Sequence, residues 1–276
     1  MHQIRIRRSV LFVPGSNARA LEKARTVPCD VVALDLEDSV APQAKHAARE
    51  AVCAAVKHFA PREVVVRINS LSSPWGQDDL AALQNAPDAI LLPKVGDAAD
   101  VAAAESGIPV WAMIETPSAI LNLDAIAASG AAVLVMGTND LLKEMRAAAT
   151  PLRENLWSAL SQTVIAARAY GLDVIDGTYN AIGDEPGLAA ECAQGKAFGF
   201  DGKSLIHPAQ IDAANRIFGP GVEEIAQARH IAAMFERPEN QDKGVLALDG
   251  RMIERLHVQS ALRTLALADA IAARGT

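Results

Sequence analysis

The sequence predicts a TIM (β/α)8 barrel, and three observations support that prediction. Short β-branched apolar segments alternate with alanine-rich amphipathic segments over about the first 210 of the 276 residues, the pattern of right-handed βαβ units around a parallel sheet. Eight such units fit in this length, as the barrel requires. The first apolar segment is followed by PGSNAR and not by the GxGxxG turn of a dinucleotide-binding open sheet. The doubly wound open sheet is therefore the weaker alternative.

The strands of the barrel are predicted from the apolar segments, in chain order, at residues 9–14, 31–37, 64–69, 89–94, 110–115, 132–137, 173–177 and 199–206. Helices are predicted between them at residues 17–24, 45–59, 97–105, 117–129, 152–170 and 186–198. These elements, with their loops, define a predicted catalytic domain over residues 1–207.

The remaining residues, 208–276, are predicted to form an extension. Two helices are expected at 208–218 and 222–236, a β-hairpin over 245–254 about Asp249-Gly250, and a closing helix at 256–274. Because no proline- or serine-rich linker precedes this segment, we expect it to pack on the barrel or on a neighbouring subunit.

Composition excludes several classes of protein. The formal net charge of −7 and the isoelectric point of about 5.4 argue against a general nucleic-acid or anionic-membrane binder. The sequence contains no run of about 18 apolar residues, so no membrane span is predicted, and the apolar run Val10–Val13 is too short for a signal peptide. The three cysteines show no CxxC spacing, which is typical of reduced residues in a cytoplasmic protein.

Polar side chains follow almost every predicted strand. Active sites of TIM barrels lie at the carboxyl ends of the strands, so we expect these side chains to converge on one mouth, although strand ends are also polar simply where they meet water. The set is Glu37, Asp38, Arg67, Asn69, Lys94, Glu115, Asn139, Asp140, Asp176 and Lys203.

The chemistry of this set suggests a metal ion. Carboxylates that lie close together repel one another unless a cation sits between them, and oxygen ligands without histidine or cysteine suit Mg²⁺. Arg67 would offer a fork of N–H bonds to a substrate carboxylate or to a developing oxyanion. The residues therefore predict a Mg²⁺ site that binds a small oxyacid by chelation.

The same residues carry a resemblance to a known family. The sequence resembles the citrate lyase β-subunit-like proteins, within the wider malyl-CoA lyase and HpcH/HpaI aldolase superfamily. The resemblance implies a Mg²⁺-dependent TIM-barrel carbon–carbon lyase, a trimer or hexamer, that cleaves a 3-hydroxyacyl thioester into a keto acid and an acetyl thioester. It is carried, in order, by RSVLFVPGSNARALEKA (8–24), ALDLEDSV (33–40), VRIN (66–69), LPK (92–94), IETP (114–117), GTND (137–140) and GKSLIHPAQI (202–211).

Roles follow from that resemblance position by position. Glu115 and Asp140 match the metal ligands, and Arg67 matches the arginine that contacts the keto acid. The thioester-carrier region, which would meet the phosphates of coenzyme A, contains Gly15, Arg19 and Lys23.

The tail GVLALDGRMIERLHVQSA resembles the hairpin of stand-alone malyl-CoA and citramalyl-CoA lyases. In those proteins an aspartate from the next subunit acts on the acetyl methyl group, and here Glu254 takes its position. Glu254 would protonate the enolate carbon during cleavage.

Other residues have supporting or alternative roles. Glu37 and Asp38 are grouped with the catalytic residues, and we expect them to hold metal-bound waters or to orient Arg67 and Lys94. The two-residue strand period predicts that Asp35 and Glu37 share one face while Asp38 faces the other way. Lys94 and Lys203 are expected in ion pairs rather than in Schiff-base chemistry. His207 is expected to pack the turn before a helix and to donate to the backbone.

Three functions remain open from the sequence. The first is a lyase for citramalyl-CoA or malyl-CoA that yields pyruvate or glyoxylate together with acetyl-CoA. The second is the citryl-thioester lyase β subunit of a citrate lyase complex, which yields oxaloacetate. The third is a non-catalytic barrel that binds a keto acid.

Overall fold

The computed structural model describes residues 5–84, 86–248 and 250–275. It confirms the predicted barrel: eight parallel strands pair in chain order, and the eighth closes on the first. The strands are β1 (Ser9–Pro14), β2 (Val31–Asp35), β3 (Glu63–Arg67), β4 (Ala89–Leu92), β5 (Val110–Ile114), β6 (Val133–Met136), β7 (Asp173–Asp176) and β8 (Gly202–Leu205).

Helices follow the strands around the barrel. They are α1 (Ala18–Ala24), α2 (Lys45–Ala55), α3 (Gly76–Leu83), α4 (Ala98–Ala103), α5 (Pro117–Leu121), α6 (Leu123–Ala128), α7 (Thr138–Met145), α8 (Trp157–Ala169), α9 (Glu185–Phe198) and α10 (Ile211–Phe218). Two of them, α3 and α7, were not predicted, because each is only eight residues long and begins among the polar residues of a strand-end loop. The single helix predicted at 117–129 is two helices that meet at Asn122.

Most strands end earlier than the apolar pattern predicts. In β2 the last strand residue is Asp35, and its carboxylate accepts hydrogen bonds from the main-chain N–H of Glu37 and of Ser39. The chain therefore turns at Leu36, and the two-residue period stops there. Several of the residues expected at strand ends therefore lie just beyond the strands: Glu37, Asp38, Asn69, Lys94 and Glu115.

The barrel interior is filled by apolar side chains from alternate strand positions. They include Val10, Ala33, Val65, Trp111 and Ile175, all almost completely buried. Below them the guanidinium of Arg7 lies 4.8 Å from the centre of the Trp111 ring and pairs with Glu63 and Asp173. This packing leaves the polar chemistry to the carboxyl ends of the strands.

The chain divides into two compact units, of which the barrel unit is residues 7–215. The boundary predicted from the sequence lay at residue 207. The barrel unit extends further because Asn215, on α10, accepts a hydrogen bond from Ser9 and donates one to the carbonyl of Pro28.

The other unit, the tail unit, comprises the described residues 5–6, 216–248 and 250–275. It contains α11 (Val222–Glu236), the antiparallel strands β9 (Val245–Leu248) and β10 (Arg251–Glu254), and α12 (Arg255–Arg274). Its own core includes Ile231, Phe235, Ile253 and Ala261. Of the predicted hairpin turn, Asp249 lies outside the described residues. None of the helices in the described part of the chain is long and apolar enough to cross a membrane.

Candidate active site

Arg67 and Asp35 form the innermost charged pair of the barrel mouth. They are register partners on neighbouring strands, and Arg67 donates through Nε and Nη2 to the two oxygens of Asp35, both at 2.7 Å. Burial alone would raise the pKa of Asp35, but the charge and hydrogen bonds of Arg67 lower it instead. Phe12 lies beneath the guanidinium, 5.2 Å from ring centre to Cζ. The fork of Arg67 is therefore held flat, with Nη1 left free of Asp35.

Glu37 and Asp38 approach the remaining nitrogen of that fork. Arg67 Nη1 lies 2.9 Å from Glu37 Oε2 and 3.8 Å from Asp38 Oδ2. The prediction that Asp38 faces away from Glu37 is therefore wrong, because the strand ends at Asp35 and the turn brings both carboxylates to the same guanidinium. Burial is the main reason that the pKa of Glu37 is raised, to about 7.

Glu115, Lys94 and Asp140 form a second group on the other side of the mouth. Glu115 follows β5 and is fully buried, and its Oε1 accepts the main-chain N–H of Lys94 at 2.7 Å. Lys94 has a left-handed backbone, φ 54°, which costs about 1–3 kcal/mol in a non-glycine residue and is typical of functional sites. Its Nζ lies 3.4 Å from Glu115 Oε1 and 2.9 Å from Asp140 Oδ2.

The predicted metal ligands are thus brought together by one lysine. Burial would lower the pKa of Lys94, but the nearby carboxylates raise it, so the ammonium stays charged and the predicted ion pair is confirmed. A Schiff-base lysine would need the opposite shift.

The residues present fit a magnesium ion. Glu115 Oε2 is buried and makes no hydrogen bond, and burial raises the pKa of this carboxyl, as expected for a group without a sufficient countercharge. A side chain on Gly137 would collide with that same carboxylate, so glycine leaves room at Oε2. Among the described residues no three His, Cys, Asp or Glu side chains form a metal-binding group. Mg²⁺ needs only one or two carboxylates and completes its shell with water and substrate oxygens.

A cavity of about 390 Å³ opens between the two groups. Carboxylates of Asp35, Asp38, Glu115 and Asp140 line it, with Arg67 as the one cation among its described lining residues. Phe12, Met113, Met136 and Ile206 give it apolar walls. A pocket with these features suits a small anionic molecule held by one guanidinium and one metal ion.

Asp176 and Lys203, also predicted at the mouth, belong to a different cluster. Lys203 Nζ lies 2.9 Å from Asp176 and 2.7 Å from Glu191, and Arg153 Nη1 lies 2.7 Å from Asp176. Ile175 points into the barrel core and Ser204 lines the cavity, so the two-residue period turns Asp176 and Lys203 outward, toward the helices. The predicted ion pairing of Lys203 is confirmed, but on the outer face of the sheet.

Three further predictions concern the turn after β1, helix α1 and the segment after β8. Gly15 lies where the turn after β1 approaches β2, since its N–H donates to Asp35 O at 2.8 Å and a Cβ there would meet the same oxygen. Arg19 and Lys23, on α1, are exposed. His207 caps the segment after β8, but it accepts the N–H of Ala209 through Nδ1 instead of donating. A helix start offers N–H donors and needs an acceptor, which is why the expected direction is wrong.

Glu254 lies in the tail unit, at the end of β10. Its main-chain N–H donates to His257 Nδ1 at the start of α12. Its catalytic role stays a prediction.

One supporting residue was missed entirely. Lys45 starts α2, and its buried Nζ donates to the carbonyls of Leu36 and Glu37 and to Asn69 Oδ1. In the sequence, KHAARE has the pattern of an exposed helix start. The only available signal was that Lys45 is the first cation after three carboxylates.

A parallel eight-stranded barrel with carboxylates and one arginine at its mouth defines an α/β-barrel protein whose mouth suits a small anionic molecule. The chain belongs to a particular family of such proteins, HpcH/HpaI aldolase/citrate lyase, whose profile matches residues 8–208.

Relatives extend over the whole chain. A (3S)-malyl-CoA thioesterase from Cereibacter sphaeroides is 47% identical, over 99% of this chain and 98% of the relative. The citrate lyase subunit beta of Escherichia coli K12 is 34% identical, over 91% of this chain and 89% of the relative. A crystal structure of the Mycobacterium tuberculosis protein CitE, in complex with magnesium, acetoacetate and coenzyme A, is 30% identical with a TM-score of 0.77, covering 93% of this chain and 97% of that one.

Proposed function

We propose that this protein is a Mg²⁺-dependent lyase that cleaves a 3-hydroxyacyl-CoA of the malyl-CoA type into a keto acid and acetyl-CoA. The observation that carries the proposal is the cavity in which Arg67 faces Glu115 and Asp140. A 2-hydroxy acid presents a hydroxyl and a carboxylate on adjacent carbons. Bound between these residues, it would have its reactive C–C bond next to the charged groups.

The metal ion and the side chains would make separate contributions to catalysis. Mg²⁺ held by Glu115 and Asp140 would supply Lewis-acid stabilisation to the oxygens of the hydroxy acid. Arg67 would bind the substrate carboxylate with the N–H bonds that Asp35 does not use. Asp35, Glu37 and Asp38 would hold the guanidinium in place. Gly15, Arg19 and Lys23 would lie along the coenzyme A portion, as the family resemblance implies.

The proton balance of the lyase reaction requires one further group. The hydroxyl would give its proton to a carboxylate at the mouth as the C–C bond breaks, and the enolate of acetyl-CoA would gain a proton at carbon. Following the family resemblance, we assign the second transfer to Glu254 of a neighbouring subunit. Glu254→Gln should lower turnover by 10²-fold or more, the usual contribution of a positioned acid or base. Unchanged turnover in an intact oligomer, expected to be a trimer or hexamer, would remove Glu254 from the mechanism.

Thioester hydrolysis is the second candidate, and the relatives named (3S)-malyl-CoA thioesterase favour it. The substrate class would be the same, but water would break the C–S bond to release malate and coenzyme A. The carboxylates of the cavity lie where the hydroxy acid would bind, which is why C–C cleavage is placed first.

A citryl thioester fits less well. It carries a second carboxylate, and Arg67 is the one cation among the lining residues that the structure describes. The other carboxylate would therefore face Asp35, Asp38 or an apolar wall. A purely binding role is also less favoured, because Arg67, Glu115 and Asp140, the residues that the family resemblance links to catalysis, are all present.

One product assay separates these functions. Purified protein is incubated with Mg²⁺ and (3S)-malyl-CoA, and in parallel with citramalyl-CoA and citryl-CoA. Glyoxylate with acetyl-CoA from the first substrate supports the lyase, whereas malate with free coenzyme A supports the thioesterase. Turnover of citryl-CoA alone, or of no thioester, would contradict the proposal. Full activity after dialysis into excess EDTA would contradict its metal dependence.

A further inference from the structure

Lys45 is held in an unusual way for a buried cation. Its side chain is 6% exposed, and Nζ donates to Leu36 O at 2.8 Å, Glu37 O at 2.7 Å and Asn69 Oδ1 at 2.6 Å. An ammonium has three N–H bonds, so all of them are used. The acceptors are two main-chain carbonyls and an amide; none is a carboxylate.

This arrangement is expensive if its purpose is stability alone. Taking a charge out of water costs several kcal/mol, and a neutral acceptor returns less than a carboxylate would. What the bonds achieve is a fixed position for the main chain at Leu36 and Glu37, directly after β2. An apolar residue at position 45 could fill the space but could not hold those carbonyls.

The neighbours of Lys45 reinforce the same turn. Asn69 Nδ2 donates to Leu36 O at 3.0 Å, and Asp79 accepts both the main-chain and side-chain N–H of Asn69. Arg49 in turn donates to Asp79 at 2.7 Å. The Trp75 ring lies 5.3 Å from the Lys45 ammonium. The carbonyl of Leu36 is thus held from two sides.

The turn matters because of the side chain it carries. Glu37 Oε2 lies 2.9 Å from Arg67 Nη1 but makes no aligned hydrogen bond, so this carboxylate is placed mainly by its main chain. Nη1 is the terminal nitrogen of Arg67 that Asp35 does not hold. The position of Glu37 therefore determines where a second negative charge lies beside Nη1.

We propose that Lys45 is a positioning residue of the active site: it fixes the Leu36–Glu37 turn, and through Glu37 it sets the negative charge and the space that the carboxylate of the substrate meets at Arg67 Nη1. The last part, that Arg67 receives a substrate carboxylate, rests on the proposed function. The first part, the placement of Glu37, does not.

The test compares Lys45→Met with two other variants. Methionine keeps an unbranched apolar side chain and removes all three donors. Lys45→Arg keeps donors and charge. Lys203→Met is the matched control, because it removes an equally buried ammonium that lies on the outer face of the sheet.

Two measurements are made on each variant. The first is the KM and kcat for malyl-CoA cleavage. Lys45→Met should raise KM at least tenfold with less than a threefold change in kcat, Lys45→Arg should recover most of that loss, and Lys203→Met should lower the melting temperature without changing KM. The second is the ¹³C resonance of the Glu37 carboxyl at fixed pH, assigned with Glu37→Gln. It should move in Lys45→Met and stay in place in Lys203→Met.

The outcomes separate the two proposals. If the Glu37 resonance moves but the wild-type protein cleaves no malyl-CoA, the proposed function fails and the placement of Glu37 by Lys45 stands. If Lys45→Met is folded and the Glu37 resonance and KM both match the wild type, the inference is wrong. Equal KM effects in Lys45→Met and Lys203→Met would also overturn it, since the role would then be structural. Should Lys45→Met fail to fold, Lys45→Gln takes its place with the same expectations.

Discussion

Two clusters of charged side chains lie at the carboxyl ends of the strands, one inside the barrel and one outside it. The mouth cluster consists of Asp35, Glu37, Asp38, Arg67, Lys94, Glu115 and Asp140. The outer cluster consists of Arg153, Asp176, Glu191 and Lys203. They are built from the same residue types, and they differ in charge balance and in what they face.

The outer cluster pairs two cations with two carboxylates. Asp176 and Lys203 have no exposed surface, and their contacts are 2.7–2.9 Å long. The charges of Lys203 and Arg153 lower the pKa of Asp176 although burial acts to raise it. A balanced and buried cluster of this kind holds an element in place and has no need of a ligand.

The mouth cluster sets five carboxylates against two cations and faces a cavity. Glu37 Oε2 and Glu115 Oε2 make no hydrogen bond, and the pKa values of both carboxyls are raised, mainly by burial. The deficit of positive charge at the mouth, rather than the number of acids, is therefore what favours a ligand site there over a structural role.

The largest expected effect is in the mouth cluster. Glu115→Gln removes the charge of a proposed metal ligand but keeps an oxygen for the N–H of Lys94. Loss of metal-assisted charge stabilisation, worth several kcal/mol, should lower turnover of malyl-CoA by about 10³-fold or more, with little change in melting temperature. Steady-state kinetics and thermal unfolding check this, and activity within tenfold of wild type would contradict it.

The corresponding change in the outer cluster should lower stability and leave turnover nearly unchanged. Asp176→Asn leaves Lys203 and Arg153 buried with one carboxylate fewer, which should lower the free energy of unfolding by about 3 kcal/mol. The kcat of the folded protein should stay within about threefold. Denaturant unfolding and kinetics at 15 °C provide the measurement. A stable but inactive variant would place Asp176 in the catalytic machinery.

A third prediction concerns pH. The folded-state pKa of Glu37 is raised from 4.5 to about 7, so without metal the folded state binds a proton more tightly than the unfolded state. The stabilisation is fully present below pH 4.5 and is lost as the pH rises to about 7, a change of up to about 3 kcal/mol. Glu37→Gln should therefore flatten the stability profile between pH 4.5 and pH 7 in EDTA. An unchanged profile would mean that Glu37 titrates normally.

Glu37→Gln also separates a supporting residue from a metal ligand. If Glu37 holds metal-bound water or orients Arg67, the Mg²⁺ dissociation constant should rise about tenfold. Calorimetric titration measures it, with Glu115→Gln as the reference. If Glu37→Gln loses Mg²⁺ binding as completely as Glu115→Gln does, Glu37 is a direct metal ligand.

The smallest effect is expected at Lys94. Its ammonium lies 2.9 Å from Asp140, a contact that a metal ion on the same carboxylate must share or displace. Lys94→Met should therefore tighten Mg²⁺ binding by about threefold, while the metal-free protein loses about 1 kcal/mol of stability. The same titration, paired with thermal unfolding in EDTA, gives both numbers. Weaker binding would show that Lys94 supports the metal.

The barrel was predictable because it rests on periodicity. The runs VVAL and VVV are apolar and rich in β-branched residues, which is typical of strands buried on both faces. The short helices α3 and α7 were not predicted, because each is only eight residues long and begins within a strand-end loop. The residue at which β2 ends could not be predicted either, because it depends on hydrogen bonds from the main-chain N–H groups of Glu37 and Ser39 to the Asp35 side chain.

The sequence predicts which strands end in charged side chains, and no more of the site than that. The sequence could not separate Asp176 and Lys203 from Glu115 and Asp140, because inward and outward faces at a strand end differ by one residue. The role of Lys45 could not be predicted for another reason. Its partners include main-chain carbonyl oxygens, which every residue has, so the sequence does not show which of them a lysine will bind.

The most direct test of the central claim is a calorimetric titration of Mg²⁺ into wild type, Glu115→Gln and Glu191→Gln. Glu191 is the outer-cluster counterpart, a carboxylate in contact with Lys203. One Mg²⁺ per chain should bind to wild type and to Glu191→Gln, and none to Glu115→Gln. Wild-type binding retained in Glu115→Gln, or lost in Glu191→Gln, would contradict the assignment of the ligand site to the mouth cluster.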